Sequence, residues 1–304
     1  MAKELQNINL RFAQKIDHMN FYQEIERDIK SLWDKDYIEE VNQLNQKLGG
    51  EYFERNIFPM YFNGDIKSNT VLIMLNPGFE DRKYSFSYNI KKNTNKLFNE
   101  YVKEYINQIP FKASEEEEFN RLDNFDTKQA AFLYHFDNKG FALPLNFWKT
   151  KENLKIAKRD QMINKLQLEF IPYSSKSFQG LFDTKKKATQ NYPAIEHYFI
   201  RLLAIIQEHP RKNIIFCSKQ FYFILQAARE TPLFKDKIDF DDTKSLSISS
   251  LNLRFNKVSI QYNNQIIKAG IAHSFASQAL PNAYEKMVEY GRFCFENLHT
   301  TNIY

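Results

Sequence analysis

The 304-residue chain reads as an α/β protein, a three-layer αβα sandwich around a central, mainly parallel sheet. Three observations predict this. Val71-Leu72-Ile73-Met74-Leu75 and Asn213-Ile214-Ile215-Phe216-Cys217 are short apolar runs bounded by turn residues, as expected of strands buried on both faces. Segments with helical spacing of apolar residues alternate with these runs. The composition, 43% apolar and 26% charged, supplies a large core without the polarity of a disordered chain.

Taken in order, residues 8–48 are charged and amphipathic, with Phe21, Ile25, Ile29 and Leu32 near helical spacing and Gly49-Gly50 as the stop. Asn63-Gly64-Asp65 reads as a polar turn leading into the strand 71–75, which ends on Asn76-Pro77-Gly78 because proline cannot continue a ladder. Residues 90–130 are expected to be helical, with Glu115–Glu118 as a solvated acidic run. The proline-broken stretch 141–148 is a loop or edge segment. Residues 166–171 alternate as a strand and end at Pro172-Tyr173-Ser174-Ser175. A helix is predicted over 193–208, starting near Pro193, with Lys185-Lys186-Lys187 before it as a solvated loop. The strand 213–217 is followed by a helix over 219–229. Asn263-Asn264 joins 258–262 and 265–272 as a hairpin, and a helix over 281–298 closes the chain. No linker, repeat or low-complexity stretch divides the sequence. One domain over 1–304 is expected, with 1–60 as a helical extension and 65–298 as the α/β core.

Composition also narrows the function classes. With 42 basic and 37 acidic residues the net charge is +5, which permits a nucleic-acid partner without demanding one. Cys217 and Cys294 are the only cysteines, too few for a four-thiolate metal or iron–sulfur site. No apolar leader or run of about 20 apolar residues occurs, so a cytoplasmic protein away from membranes is expected. No glycine-rich phosphate loop follows any strand, which disfavours a nucleotide-dependent transferase.

Four predicted strand ends carry chemistry: Asn76-Pro77-Gly78, Glu169 with the Pro172–Ser175 turn, Ser218-Lys219 and His273-Ser274. Together they resemble the uracil-DNA glycosylase superfamily over roughly residues 65–295. Leu75-Asn76-Pro77-Gly78 is similar to its first motif in the Asn-Pro-Gly form of the mismatch-specific branch, and His273-Ser274 to its second catalytic motif. The chain departs from that pattern in lacking a proline after His273, in Cys217-Ser218 where Trp-Gly is usual, and in Glu169 where several branches read uracil with Asn.

The resemblance implies a uracil-DNA glycosylase-like fold and a metal- and cofactor-free N-glycosidic hydrolysis acting on DNA, by a monomer. Asn76 would hold the attacking water and His273 would stabilise the departing base. Phe79, Phe86 and Tyr88 are candidates to flank or stack on the flipped base, with Gly78 and Glu169 lining its pocket. Ser174, Ser175, Lys176, Lys219 and Ser274 would meet phosphates, and Phe275 or Leu280 would fill the gap in the duplex. A Glu169 carboxylate accepts but does not donate, which suits the amino group of cytosine better than uracil. Removing ordinary cytosine would destroy the host genome. The expected target is therefore a modified cytosine, hydroxymethylated or glucosylated, in phage DNA. A uracil or mismatch repair enzyme, and a nucleic-acid or nucleotide binding module without activity, are the competing readings.

Overall fold

A computed structural model describes residues 21–78, 97–107, 124–136, 147, 149–248, 250–277 and 279–300. The acidic run Glu115–Glu118, the candidates Phe79, Phe86 and Tyr88, and most of 141–148 lie outside the described residues.

The first helix, α1 (Phe21–Lys35), buries Phe21, Ile25, Ile29 and Leu32 in one stripe. After it, α2 (Glu39–Leu48) stops at Gly49, whose φ of 72° places it in the left-handed region that favours glycine. The described part of the 90–130 stretch holds α3 (Phe98–Asn107) and the start of α4 (Asn124–Leu133). One helix was not foreseen: α5 (Lys151–Asn164), whose first turn is capped by Thr150 Oγ1 accepting from Asn153 N–H at 3.3 Å. After a short 3₁₀ turn at Phe178–Phe182 comes α6 (Lys185–Gln207). It begins eight residues before Pro193, so the Lys185–Lys187 triplet is its first turn rather than a loop. Thr184 Oγ1 accepts from Lys187 N–H there, and the helix runs on through the proline. The last two helices, α7 (Gln220–Arg229) and α8 (Tyr284–His299), lie close to the expected bounds.

The strands are β1 (Phe62–Gly64), β2 (Thr70–Met74), β3 (Leu166–Glu169), β4 (Asn213–Cys217), β5 (Ile238–Phe240), β6 (Lys244–Ile248), β7 (Leu251–Tyr262) and β8 (Gln265–Ala272). They form one sheet in the order β1-β3-β2-β4-β8-β7-β5, with β6 beside the first half of β7. The central strands β3, β2, β4 and β8 are parallel, and β1, β7, β5 and β6 add antiparallel edges, so the sheet is mixed. The expected turn at Asn63-Gly64 is instead an edge strand, pairing antiparallel with Leu166–Leu168. The hairpin forms as expected: Tyr262 pairs with Gln265, and Asn263 and Asn264 take φ of 44° and 61°, the pair of positive values a two-residue turn requires.

Two apolar cores lie one on each face of the sheet. On one, Val71, Ile73, Ile214, Phe216, Ala269 and Ile271 pack against α1, α2, α6 and α7. On the other, Leu72, Met74, Ile215, Cys217, Leu253 and Phe255 pack against α4, α5 and α8. The alternation of faces along β2 and β4 is what a three-layer arrangement demands, and it explains why both strands are apolar throughout. On the second face a Cβ on Gly291 of α8 would lie 1.9 Å from the Phe132 carbonyl oxygen, so α4 and α8 cross in contact at a point only glycine fits.

Among the parallel strands the order is second, first, third, fourth in the chain. The connections therefore leave β2 and β4 in opposite directions, and the crevice between their carboxyl ends is where open α/β sheets place ligands.

Candidate functional site

The parallel register extends past β2 and β3. Phe170 N–H donates to Met74 O at 2.9 Å and Ile171 N–H to Leu75 O at 3.0 Å. Asn76 is therefore the first residue beyond the ladder, at the switch point. It is half-buried; its Nδ2 donates to Pro77 O at 2.8 Å and lies 3.5 Å from Tyr173 O. Its Oδ1 takes no hydrogen bond among the described residues, leaving an oriented acceptor.

Tyr173 is held from the other core. Its hydroxyl donates to Asp28 Oδ2 at 2.6 Å, the Tyr61 hydroxyl donates to the same oxygen, and Arg27 sits 3.2 Å from Oδ1. Burial raises the Asp28 pKa while Arg27 and the two phenols work against that rise. Helix α1 thus pins the loop that faces Asn76. Sequence pattern gave no sign of this anchor, because its members lie 33 and 145 residues apart.

At the far side, β8 ends at Ala272 and His273 turns away from the ladder. The backbone of Arg254, where β7 is still paired with β6 but has run past β8, is then satisfied by side chains. Arg254 N–H donates to His273 Nε2 at 3.1 Å, while the Tyr290 hydroxyl accepts from His273 N–H at 3.1 Å and donates to Arg254 O at 2.9 Å. Burial lowers the His273 pKa, with Lys219 and Arg254 adding to the effect. A neutral imidazole whose Nε2 accepts must carry its proton on Nδ1, and among the described residues nothing accepts from that N–H.

On the side of β2 away from His273, β3 presents a buried polar row. Lys165, Gln167 and Glu169 alternate with the apolar Leu166 and Leu168 and face the α4–α5–α8 layer. Lys165 Nζ donates to Gln129 Oε1 on α4 and, at 2.8 Å, to Gln167 Oε1. An ammonium has no acceptor, so the Gln167 oxygen faces it and Nε2 is left to donate to Glu169 Oε1 at 2.8 Å. Glu169 is 4% exposed and its Oε2 is buried without a partner. Burial pushes its pKa up to about 7 against the pull of Gln167 and Lys165. The Lys-x-Gln-x-Glu alternation was visible in the sequence; read as a buried face, it would have exposed the whole row.

The remaining candidates are placed as follows. Lys219, which leads into α7, and Lys176 are exposed at the same sheet edge. Ser218 Oγ hydrogen-bonds the Gln220 side chain. Ser174 and Ser175 are buried; Ser175 Oγ accepts from Phe178 N–H, at the start of the 3₁₀ turn, at 2.9 Å. Ser274 is half-buried, and its Oγ accepts from Ala276 N–H at 3.4 Å. Gly78 is exposed, and a Cβ there would meet nothing within 4 Å among the described residues. Phe275 and Leu280 are each 2% exposed, and Phe275 packs edge-on against Phe125 and Phe132. Both fill the core rather than project from the surface. Among the described residues no cluster of three or more His, Cys, Asp and Glu is arranged to hold a metal ion, and no helix is long and apolar enough to cross a membrane.

No protein-family model matches the chain, and neither a curated protein nor a solved structure is found to be similar to it.

Proposed function

We propose that the chain is a DNA N-glycosylase that hydrolyses the bond between a flipped, modified pyrimidine and its sugar. The observation that carries this reading is the pairing at one sheet edge of an oriented amide acceptor, Asn76, with a neutral imidazole donor, His273 Nδ1–H, on strands either side of β4. Two strand spacings separate them, about 10 Å, a span that a nucleoside can bridge.

The chemistry follows from these groups. Breaking an N-glycosidic bond leaves cationic character on the sugar and negative charge on the base. With Nδ2 tied to Pro77 O, Asn76 Oδ1 accepts a hydrogen bond from a water and turns a lone pair of that water toward C1′. His273 Nδ1–H then donates to the departing base, its ring fixed by the Arg254 amide. Lys219 and Lys176 add positive charge at the rim, where the phosphates of an extruded nucleotide would lie. Among the described residues nothing lies within 4 Å of a Cβ on Gly78, which suits a substituent on the pyrimidine ring.

One observation favours a second reading. Asn76 Nδ2 and His273 Nε2 are both engaged with backbone, as fixtures of a binding module would be. Incubation with single-stranded and duplex DNA carrying hydroxymethylated or glucosylated cytosine, followed by alkali, separates the two. Strand breaks that disappear in Asn76→Ala support hydrolysis. Retarded mobility without breaks supports binding alone.

A further inference from the structure

Resting on the glycosylase reading, we infer that Glu169 acts as a neutral carboxylic acid at the base edge, donating from Oε2 to N3 of a cytosine-type base and passing its proton there as the glycosidic bond breaks. Three features of the site lead to this.

The first is position. Glu169 pairs with Met74 across the β2–β3 ladder, and Asn76 lies two residues farther on. That is about 7 Å along the chain, so both groups stand at the carboxyl ends of neighbouring strands. The second is the hydrogen-bond pattern. Gln167 fixes Oε1 as an acceptor, so the proton belongs on Oε2, the oxygen without a partner. Oε1 keeps a second lone pair for the N4 amino group of cytosine. The third is the electrostatic setting. Lys165 is separated from the carboxyl by the Gln167 amide instead of pairing with it. Cys217 on β4 is held as a thiol by burial. Among the other buried charges of the packed helices, Lys128 donates to Asn282 and Lys158 pairs with Asp126 at 3.4 Å. The Lys165 charge reaches Glu169 across that amide and is outweighed by burial, which pushes the Glu169 pKa up to about 7.

This changes the argument from acceptor capacity alone: a protonated Glu169 donates as well as accepts. Such a group suits cytosine better than uracil. Uracil already carries a proton on N3 and leaves as a stabilised anion. Cytosine has a bare N3 and leaves poorly unless it gains a proton. In the proposed step the C1′–N1 electron pair goes to the base as the Glu169 proton reaches N3, and the base departs neutral. Water adds to C1′ and releases a proton to solvent, and solvent reprotonates the carboxylate. Atoms and charge balance without a further reactant.

The test is the pH profile of 5-hydroxymethylcytosine release from a synthetic duplex under single-turnover conditions. Wild-type release should fall about tenfold per pH unit above about 7, the limb set by loss of the Glu169 proton. Glu169→Gln, which keeps the hydrogen-bonding shape, should lose roughly 100-fold or more at pH 6 and lose that limb. Gln167→Met, which removes the bond that pulls the Glu169 pKa down, should move the limb to higher pH, and it serves if the first variant does not fold. Release with the same limb in Glu169→Gln, an unmoved limb in Gln167→Met, or release of uracil in place of the cytosine base overturns this role and leaves the glycosylase reading standing. No base released from any DNA overturns both.

Discussion

Replacing Glu169 by Gln keeps the size of the side chain and removes its proton equilibrium. Folded Glu169 holds its proton up to about pH 7, whereas an unperturbed Glu releases it near 4.5. Between those values the folded chain binds more protons than the unfolded chain, so this group makes stability fall as pH rises. Its unfavourable contribution is absent below the unfolded value, grows through the window, and is constant above the folded value. The separation of about 2.5 pKa units, at 1.36 kcal/mol each, corresponds to about 3 kcal/mol. Glu169→Gln has no such term. Urea denaturation of both proteins at several pH values from 4.5 to 8 should show the variant gaining about 3 kcal/mol relative to wild type across the series, most of it by pH 7. Titrations shared by both chains, including that of buried Asp28, cancel in the difference. Parallel stability curves would mean that Glu169 is ionised in the folded protein throughout, and the argument for a neutral acid would fail.

Two further substitutions probe other parts of the structure. His273→Ala should reduce base release by roughly 100-fold through loss of the Nδ1–H donor. It should also lower stability by about 1–3 kcal/mol, because the Arg254 amide loses its acceptor; unchanged values of both would remove His273 from the site. Gly291→Ala should destabilise by about 1–3 kcal/mol or more by forcing α8 away from α4, since the new Cβ would lie 1.9 Å from the Phe132 carbonyl; an unchanged melting temperature would contradict the close crossing.

How much of this was legible beforehand depended on whether the cause was local. The apolar run of β2, the Asn263-Asn264 turn and the terminal helix each carry their own signal, and each formed close to its expected place. The edge strand β1 was missed because Asn63-Gly64 has turn chemistry, and only pairing with β3 extends it. The short strands β5 and β6 expose much of their surface, and their apolar–polar alternation spans only three and five residues, too few to stand out. Proline at 193 was read as a helix start, although Thr184 caps the helix far upstream. The positions of Asn76, Glu169 and His273 at one sheet edge could be anticipated from strand ends alone. Their partners could not. Tyr290 and Arg254 around His273, and Asp28 behind Tyr173, come from elements distant in sequence, where no periodicity reports the contact.

The central claim is tested most directly by mass spectrometry of free bases after incubation with DNA containing hydroxymethylated or glucosylated cytosine. The account predicts that wild-type protein releases the modified cytosine and leaves abasic sites, and that Asn76→Ala, folded to the same extent, releases it at least ~100-fold more slowly. Absence of any released base, or undiminished release by Asn76→Ala, would contradict it.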